Sequence, residues 1–228
     1  MSPVLANIYL HYVLDLWFEK VIKRQFNGSA HIIRYCDDFV CCFQYESEAR
    51  NFYQMLTQRL QKFNLNIAPE KSKIIEFGLF AFRNTRKLGR SKPETFDFLG
   101  FTHYCGQSQN GKFRVKRKTS RKKYKAAIYR MKQWIKANRT TPINQLLEEI
   151  KPKLIGHYRY YGITDNGPML SRYWYEVAKL LFKWLNRRSQ RNSYTWEKFL
   201  LLLKAKPLPK PKIYVSIFDN GQWPCINV

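Results

Sequence analysis

Asp37 and Asp38 stand side by side between two short apolar runs, residues 32–36 and 39–43. Carboxylates this close repel one another in a dry setting unless a divalent cation neutralises them. Nucleotidyl transfer uses such pairs to hold two Mg²⁺ ions about 3.5–4 Å apart, clamping the attacking and leaving oxygens. The same dipeptide also suits a plain turn, because Asp bonds readily to its own backbone. In both cases the β-rich flanks predict a hairpin with the two aspartates as its link.

The elements that must carry this hairpin follow from periodicity. Ser2-Pro3 is a helix start, and Leu5, Ile8, Tyr9, Tyr12 and Leu16 predict the apolar face of a helix reaching about Lys23. Asn27-Gly28-Ser29 ends it. Ser47 is the expected cap of a second helix with Phe52, Leu56, Leu60 and Phe63 inward. Residues 73–77 and 96–101 read as strands joined by a basic loop over 83–92, and 111–118 as a last strand or arm. Basic helices follow over about 120–137 and from Thr141-Pro142 to Ile150, where Pro152 should interrupt. A further segment spans 153–161, and helices are expected over about 169–188 and 196–203, with Trp134, Trp174 and Trp184 in their core. The strip Lys204, Lys206, Pro207, Pro209, Lys210, Pro211, Lys212 cannot be helical and reads as an extended, mobile connector.

Charge separates the two halves. The chain has 41 Lys+Arg against 16 Asp+Glu, a formal +25, in 228 residues with 45% hydrophobic content. Residues 1–78 carry 9 basic and 8 acidic side chains, so nearly all the excess lies beyond them. Such an excess repels itself unless a polyanion binds, which makes nucleic acid the first partner to consider. Residues 112–125 alone hold nine cations: Lys112, Arg114, Lys116, Arg117, Lys118, Arg121, Lys122, Lys123 and Lys125. With Phe113 and Tyr124 among them, they suit phosphate contact with some base stacking. Five cysteines without a C-x-x-C pair suggest neither a disulfide framework nor a zinc site, and fit a cytoplasmic protein. An anionic membrane surface is the competitor for this charge, but nucleic acid is preferred and no membrane partner is expected; no apolar run approaches the ~20 residues of a membrane span.

The string Arg34-Tyr35-Cys36-Asp37-Asp38-Phe39-Val40 resembles the Tyr-x-Asp-Asp signature of reverse transcriptases. Ser2-Pro3-Val4-Leu5-Ala6-Asn7-Ile8-Tyr9-Leu10 is similar to the block upstream of that signature in group II intron reverse transcriptase/maturases. Leu65-Asn66-Ile67-Ala68-Pro69-Glu70-Lys71-Ser72-Lys73 resembles the block after it, and Phe96-Asp97-Phe98-Leu99-Gly100-Phe101 the block that supports the primer end. The resemblance implies an RNA-directed DNA polymerase using Mg²⁺, with Asp37 and Asp38 as metal ligands and Tyr35 near the primer end. It matches Lys71 to the lysine beside the incoming nucleotide, although Lys73 could serve instead. Asn7 matches a position behind the site, in packing or substrate contact. Implied partners are intron RNA, an RNA template, a DNA primer and deoxynucleotide triphosphates.

The family's fingers, its first metal-binding aspartate and its Gln-Gly-Gly segment have no match in these residues, and neither Asp15 nor Glu19 is expected to replace that aspartate. Alone, the chain is therefore expected to hold metal poorly and to polymerise little. Downstream, Ile155-Gly156-His157-Tyr158-Arg159-Tyr160-Tyr161-Gly162 and the Trp174–Trp184 helix resemble the family's thumb and maturase region, which grips RNA. That resemblance implies RNA contacts at Lys116, Arg117, Lys118, Arg121, Lys122, Lys123, Lys125, Tyr158, Arg159 and Tyr160, with His157 structural. The expected fold is α+β: a partial polymerase palm over 1–110, in which a mixed sheet with the Tyr-x-Asp-Asp hairpin is backed by helices. A basic all-helical thumb/maturase domain over 111–204 and a Pro/Lys-rich tail over 205–228 complete it.

Overall fold

The computed structural model describes residues 3–108, 110–188 and 194–218. The expected Ser2 cap and Cys225 lie outside these described residues. The chain divides into two units, Met1–Phe98 with Tyr104–Val115, and Leu99–His103 with Lys116–Val228.

The first unit opens with α1 (Pro3–Leu10), which runs through two π-helical turns, His11–Asp15 and Phe18–Ile22, into α2 (Lys23–Gln25). The expected apolar face is not the buried one. Val13, Leu14, Phe18 and Ile22 are at most 1% exposed, whereas Leu5, Ile8, Tyr9 and Tyr12 are open. α1 itself buries no residue, and beyond it each π-turn inserts one extra residue and rotates later side chains by about 100° about the axis, which a 3.6-residue period cannot anticipate.

Next, β1 (Ala30–Tyr35) pairs antiparallel with β2 (Asp38–Phe43), in register from Ala30↔Phe43 to Tyr35↔Asp38. The two-residue link is thus Cys36-Asp37, one residue earlier than expected, and Asp38 is the first residue of β2. Ile32, Phe39, Cys41 and Phe43 face the core shared with α3 (Glu46–Lys62). Phe43 and Trp17 both lie on Phe52, at 5.0 and 5.9 Å between ring centroids. Ser47 is not the cap of α3: the cap residue is Tyr45, and no side chain bonds there. Glu46 and Glu48 in the first turn suit the positive helix end. Glu48 also accepts the backbone N–H groups of Asn27 (2.9 Å) and Gly28 (3.1 Å), fixing the turn that precedes β1.

Residues 73–77 form no strand. They are held by side chains instead, with the Lys73 ammonium donating to the Thr95 carbonyl (2.9 Å) and Phe77 edge-on to Phe96 (5.1 Å). The first half of the expected basic loop, 83–87, belongs to helix α4 (Ala81–Lys87), in which Ala81 and Thr85, one turn apart, are both buried; 88–92 is loop as expected. The expected mixed sheet is two small antiparallel ones, the second in the order β3 (Phe96–Phe98), β4 (Phe101–Gln107), β5 (Phe113–Thr119). Between β3 and β4, Leu99 (φ 49°) and Gly100 (φ 81°) are both left-handed, as a type I′ turn requires.

In the second unit, α5 (Arg121–Ala137), α6 (Ile143–Tyr161), α7 (Gly167–Leu185) and α8 (Trp196–Ala205) share one core. Trp184 is buried in it, and Trp134 and Trp174 pack against it. Pro152 does not interrupt α6. Proline costs about 3 kcal/mol inside a helix, but Ile150 and Leu154 on either side are fully buried. Each contributes about 1.5–3 kcal/mol, so continuing the helix wins. Asn166, fully buried, ties the unit together: its Oδ1 accepts from Thr119 N (2.8 Å), and its Nδ2 donates to Thr119 Oγ1 and Tyr161 O (both 2.8 Å). Contrary to expectation, Lys204 lies in the last turn of α8; from Lys206 on the Pro/Lys strip forms no helix, and it is packed down rather than a mobile connector. Leu208 is buried, and Tyr158 Oη donates to Pro209 O (3.2 Å). Tyr214 N and Val215 N both donate to Gly162 O (2.7 and 3.0 Å). A Cβ at Gly162 would collide with the Tyr158 and Lys212 carbonyl oxygens, so the strip needs glycine there.

Candidate active site and nucleic-acid surface

The hairpin turn carries the chemistry of the first unit. Cys36 is left-handed (φ 56°), a costly conformation for a residue with a side chain. Its carbonyl accepts a hydrogen bond from Arg34 Nη1 (2.8 Å). The same guanidinium forks onto Asp15, with Nε to Oδ1 at 2.8 Å and Nη2 to Oδ2 at 2.6 Å, and donates from Nη1 to Asn7 Oδ1 (2.9 Å). Arg34 thus joins the turn to α1 and to the π-turn holding Asp15. Its bonds and charge hold the Asp15 carboxyl below the usual carboxylate range and keep it ionised.

Asp37 and Asp38 are both exposed. Their oxygens are the hard donors Mg²⁺ prefers, and Mg²⁺ commonly takes one or two carboxylates while keeping water and substrate phosphate as its other ligands. Among the described residues no three His, Cys, Asp or Glu side chains gather as a metal cage. The donor set therefore fits an open, shared Mg²⁺ site rather than a closed one. Burial pushes the Cys41 thiol up, so it is not a thiolate competitor.

Tyr35, opposite Asp38 at the end of β1, is 63% exposed. Lys71 is exposed and has no side-chain partner among the described residues, whereas the Lys73 ammonium is engaged by Thr95 O. That difference leaves Lys71 the freer cation. Asn7 is half-buried and accepts a hydrogen bond from Arg34.

In the second unit, Ser120 caps α5 by accepting Lys123 N (3.4 Å). Lys118, Arg121, Lys122, Lys123 and Lys125 are exposed, and Lys116 and Arg117 half-buried. The first turn of α5 contains no acid, so its cations crowd the positive helix end without local compensation. Arg159 and Tyr160 are exposed in the last turn of α6. The Tyr160 hydroxyl donates to Leu99 O (3.1 Å) and its ring stacks on Phe101 (6.1 Å, 8°). Tyr158 does not join them. It is 1% exposed, a core residue whose phenol is pushed well above its ordinary range by burial, so it has no surface for RNA. His157 is structural, stacked on Tyr173 (3.7 Å, 16°), and burial lowers its pKa to about 4.

Sequence reasoning missed Arg34 and Asp15 as partners. The available signal was an arginine inside an otherwise apolar run, since a half-buried strand carries such a charge only if it is paired. Arg172 over Tyr124 (5.7 Å) was likewise unforeseen, because nothing local links residues that far apart.

Comparison with known proteins adds two matches. Residues 1–103 match the family model described as reverse transcriptase (RNA-dependent DNA polymerase). Residues 121–199 match the model described as group II intron, maturase-specific domain. A search of curated proteins found no match. Both matched domains imply nucleic-acid binding. Among the described residues, no helix is long and apolar enough to cross a membrane. The first match spans the carboxylate hairpin and the second the cationic helices, and with these in one chain the protein belongs to the group II intron reverse transcriptase/maturase family.

Proposed function

We propose that Asp37 and Asp38 are metal ligands of an RNA-directed DNA polymerase centre, and that the cationic helical unit grips intron RNA. The observation that carries this reading is the exposed carboxylate pair on a turn whose backbone Arg34 holds. Bound Mg²⁺ would polarise the triphosphate of an incoming deoxynucleotide and activate the primer 3′-hydroxyl. Asp37 and Asp38 supply its oxygen ligands, Lys71 offers a charge to the triphosphate, and Tyr35 offers a ring beside the primer end. Lys118, Arg121, Lys122, Lys123, Lys125 and Arg159, with half-buried Lys116 and Arg117, contact RNA phosphates, and Tyr160 presents its ring.

A second reading is a non-catalytic RNA-binding maturase that assists intron splicing. It is favoured by one observation: two acidic ligands, without a third acidic, His or Cys side chain beside them among the described residues, make a weak metal site in a chain of net charge +25. Primer extension on an RNA template with Mg²⁺, run beside Asp37→Asn, separates the two. Extension that the variant loses supports the polymerase. Absence of extension together with salt-sensitive RNA binding supports the maturase.

A further inference from the structure

We infer that Arg34 is the positioning residue of the carboxylate turn, holding Asp37 and Asp38 in the geometry that receives a divalent cation. The inference rests on the reading of those two aspartates as metal ligands, and it concerns a residue that does not itself touch the ion.

The geometry has three parts. First, every head nitrogen of Arg34 is engaged: Nε and Nη2 by Asp15, Nη1 by Asn7 Oδ1 and Cys36 O. A guanidinium fork on a carboxylate is rigid, so the fourth bond, to Cys36, is made from a fixed platform. Second, Arg34 and Asp15 side chains are only 12% and 25% exposed, so solvent does not readily substitute for either. Third, the residue being held is the one in a left-handed conformation. Cys36 immediately precedes Asp37, and relaxing its φ to the ordinary region would swing the peptide that carries both carboxylates. Strain at such a point persists only where the surroundings enforce it, and Arg34 Nη1 is the side-chain donor bonded to that carbonyl.

A purely architectural pair would stabilise the hairpin against α1 and do no more. The two roles separate by Mn²⁺ titration of the isotope-labelled chain, reading paramagnetic broadening of the backbone amide signals around Asp37 and Asp38. Arg34→Lys keeps the charge but loses the fork. It should raise the Mn²⁺ midpoint about tenfold, the lower end for losing an outer-shell partner, while amide signals of the buried Val13 and Phe52 stay in place. Asn7→Ala, which removes one acceptor from Nη1, should move the midpoint less in the same direction. Asp37→Asn should abolish the local broadening. A wild-type midpoint in Arg34→Lys, with Asp37→Asn still defective, would overturn the positioning role and leave the ligand reading standing. Absence of Asp37-dependent broadening in the wild-type chain would overturn the ligand reading and this inference with it. Should Arg34→Lys fail to fold, Asn7→Ala decides: a raised midpoint supports the inference, and an unchanged one overturns it.

Discussion

Replacing Arg121, Lys122 and Lys123 with glutamine should make the protein bind RNA worse and melt later. All three lie in the first turn of α5, exposed, with no acid beside them. A cation at a helix N-terminus costs about 0.3–1 kcal/mol at low ionic strength, so three of them cost roughly 1–2 kcal/mol after mutual screening. For a chain of this size, each kcal/mol moves the melting temperature by about 2–4 °C, so the variant should gain a few degrees in dilute buffer. If the same three side chains contact phosphates, each accounts for about 0.7 of the slope of log affinity against log salt on single strands. The slope should then fall in magnitude by about 2. Circular dichroism melts at low salt, with RNA binding by fluorescence anisotropy between about 50 and 200 mM salt, measure both quantities. A lower melting temperature with an unchanged slope would refute the reasoning, because it would show cations that stabilise the fold and do not touch RNA.

Asn166→Ala should cost about 3 kcal/mol in urea unfolding, since it strands the buried Thr119 N–H, the Thr119 hydroxyl and the Tyr161 carbonyl. Tyr158→Phe should cost about 1 kcal/mol through the lost bond to Pro209 and leave RNA affinity unchanged, as befits a core residue. His157 resists protonation in the folded state, its pKa lowered to about 4 from the ordinary 6.5. Its contribution is complete above about pH 6.5 and is lost as pH falls from there towards 4, because the unfolded chain then binds the proton more readily. The urea midpoint of the wild type should therefore drop more between those values than that of His157→Phe, and parallel drops would argue against a buried neutral imidazole.

Much of the fold was legible because local signals and packing agree. Phe52, Leu56 and Leu60 recur at helical spacing and are the buried face of α3, and the basic helix expected over about 120–137 is α5. Where reading failed, the deciding interactions were distant in sequence. The π-turns at His11–Asp15 and Phe18–Ile22 rotate the first helix out of its apparent phase. Pro152 stays helical because Ile150 and Leu154 are buried against other helices. The Pro/Lys strip docks through Tyr214 and Val215 onto Gly162, about fifty residues away, which composition does not encode. At the site, the acidic pair and the cations were visible as residue types. The clamp through Arg34 was not, because Asn7, Asp15 and Arg34 meet only after the hairpin folds against the first helix.

Separation of metal chemistry from RNA affinity is tested most directly with the single change Asp37→Asn. RNA-templated primer extension with Mg²⁺ and RNA affinity should be measured on the same preparation. The expected result is loss of extension with RNA affinity nearly intact, because Asp37 lies on the hairpin turn and the cations on β5 and the helical unit. Extension that persists, or affinity that falls in step with it, would contradict the assignment of Asp37 as a metal ligand.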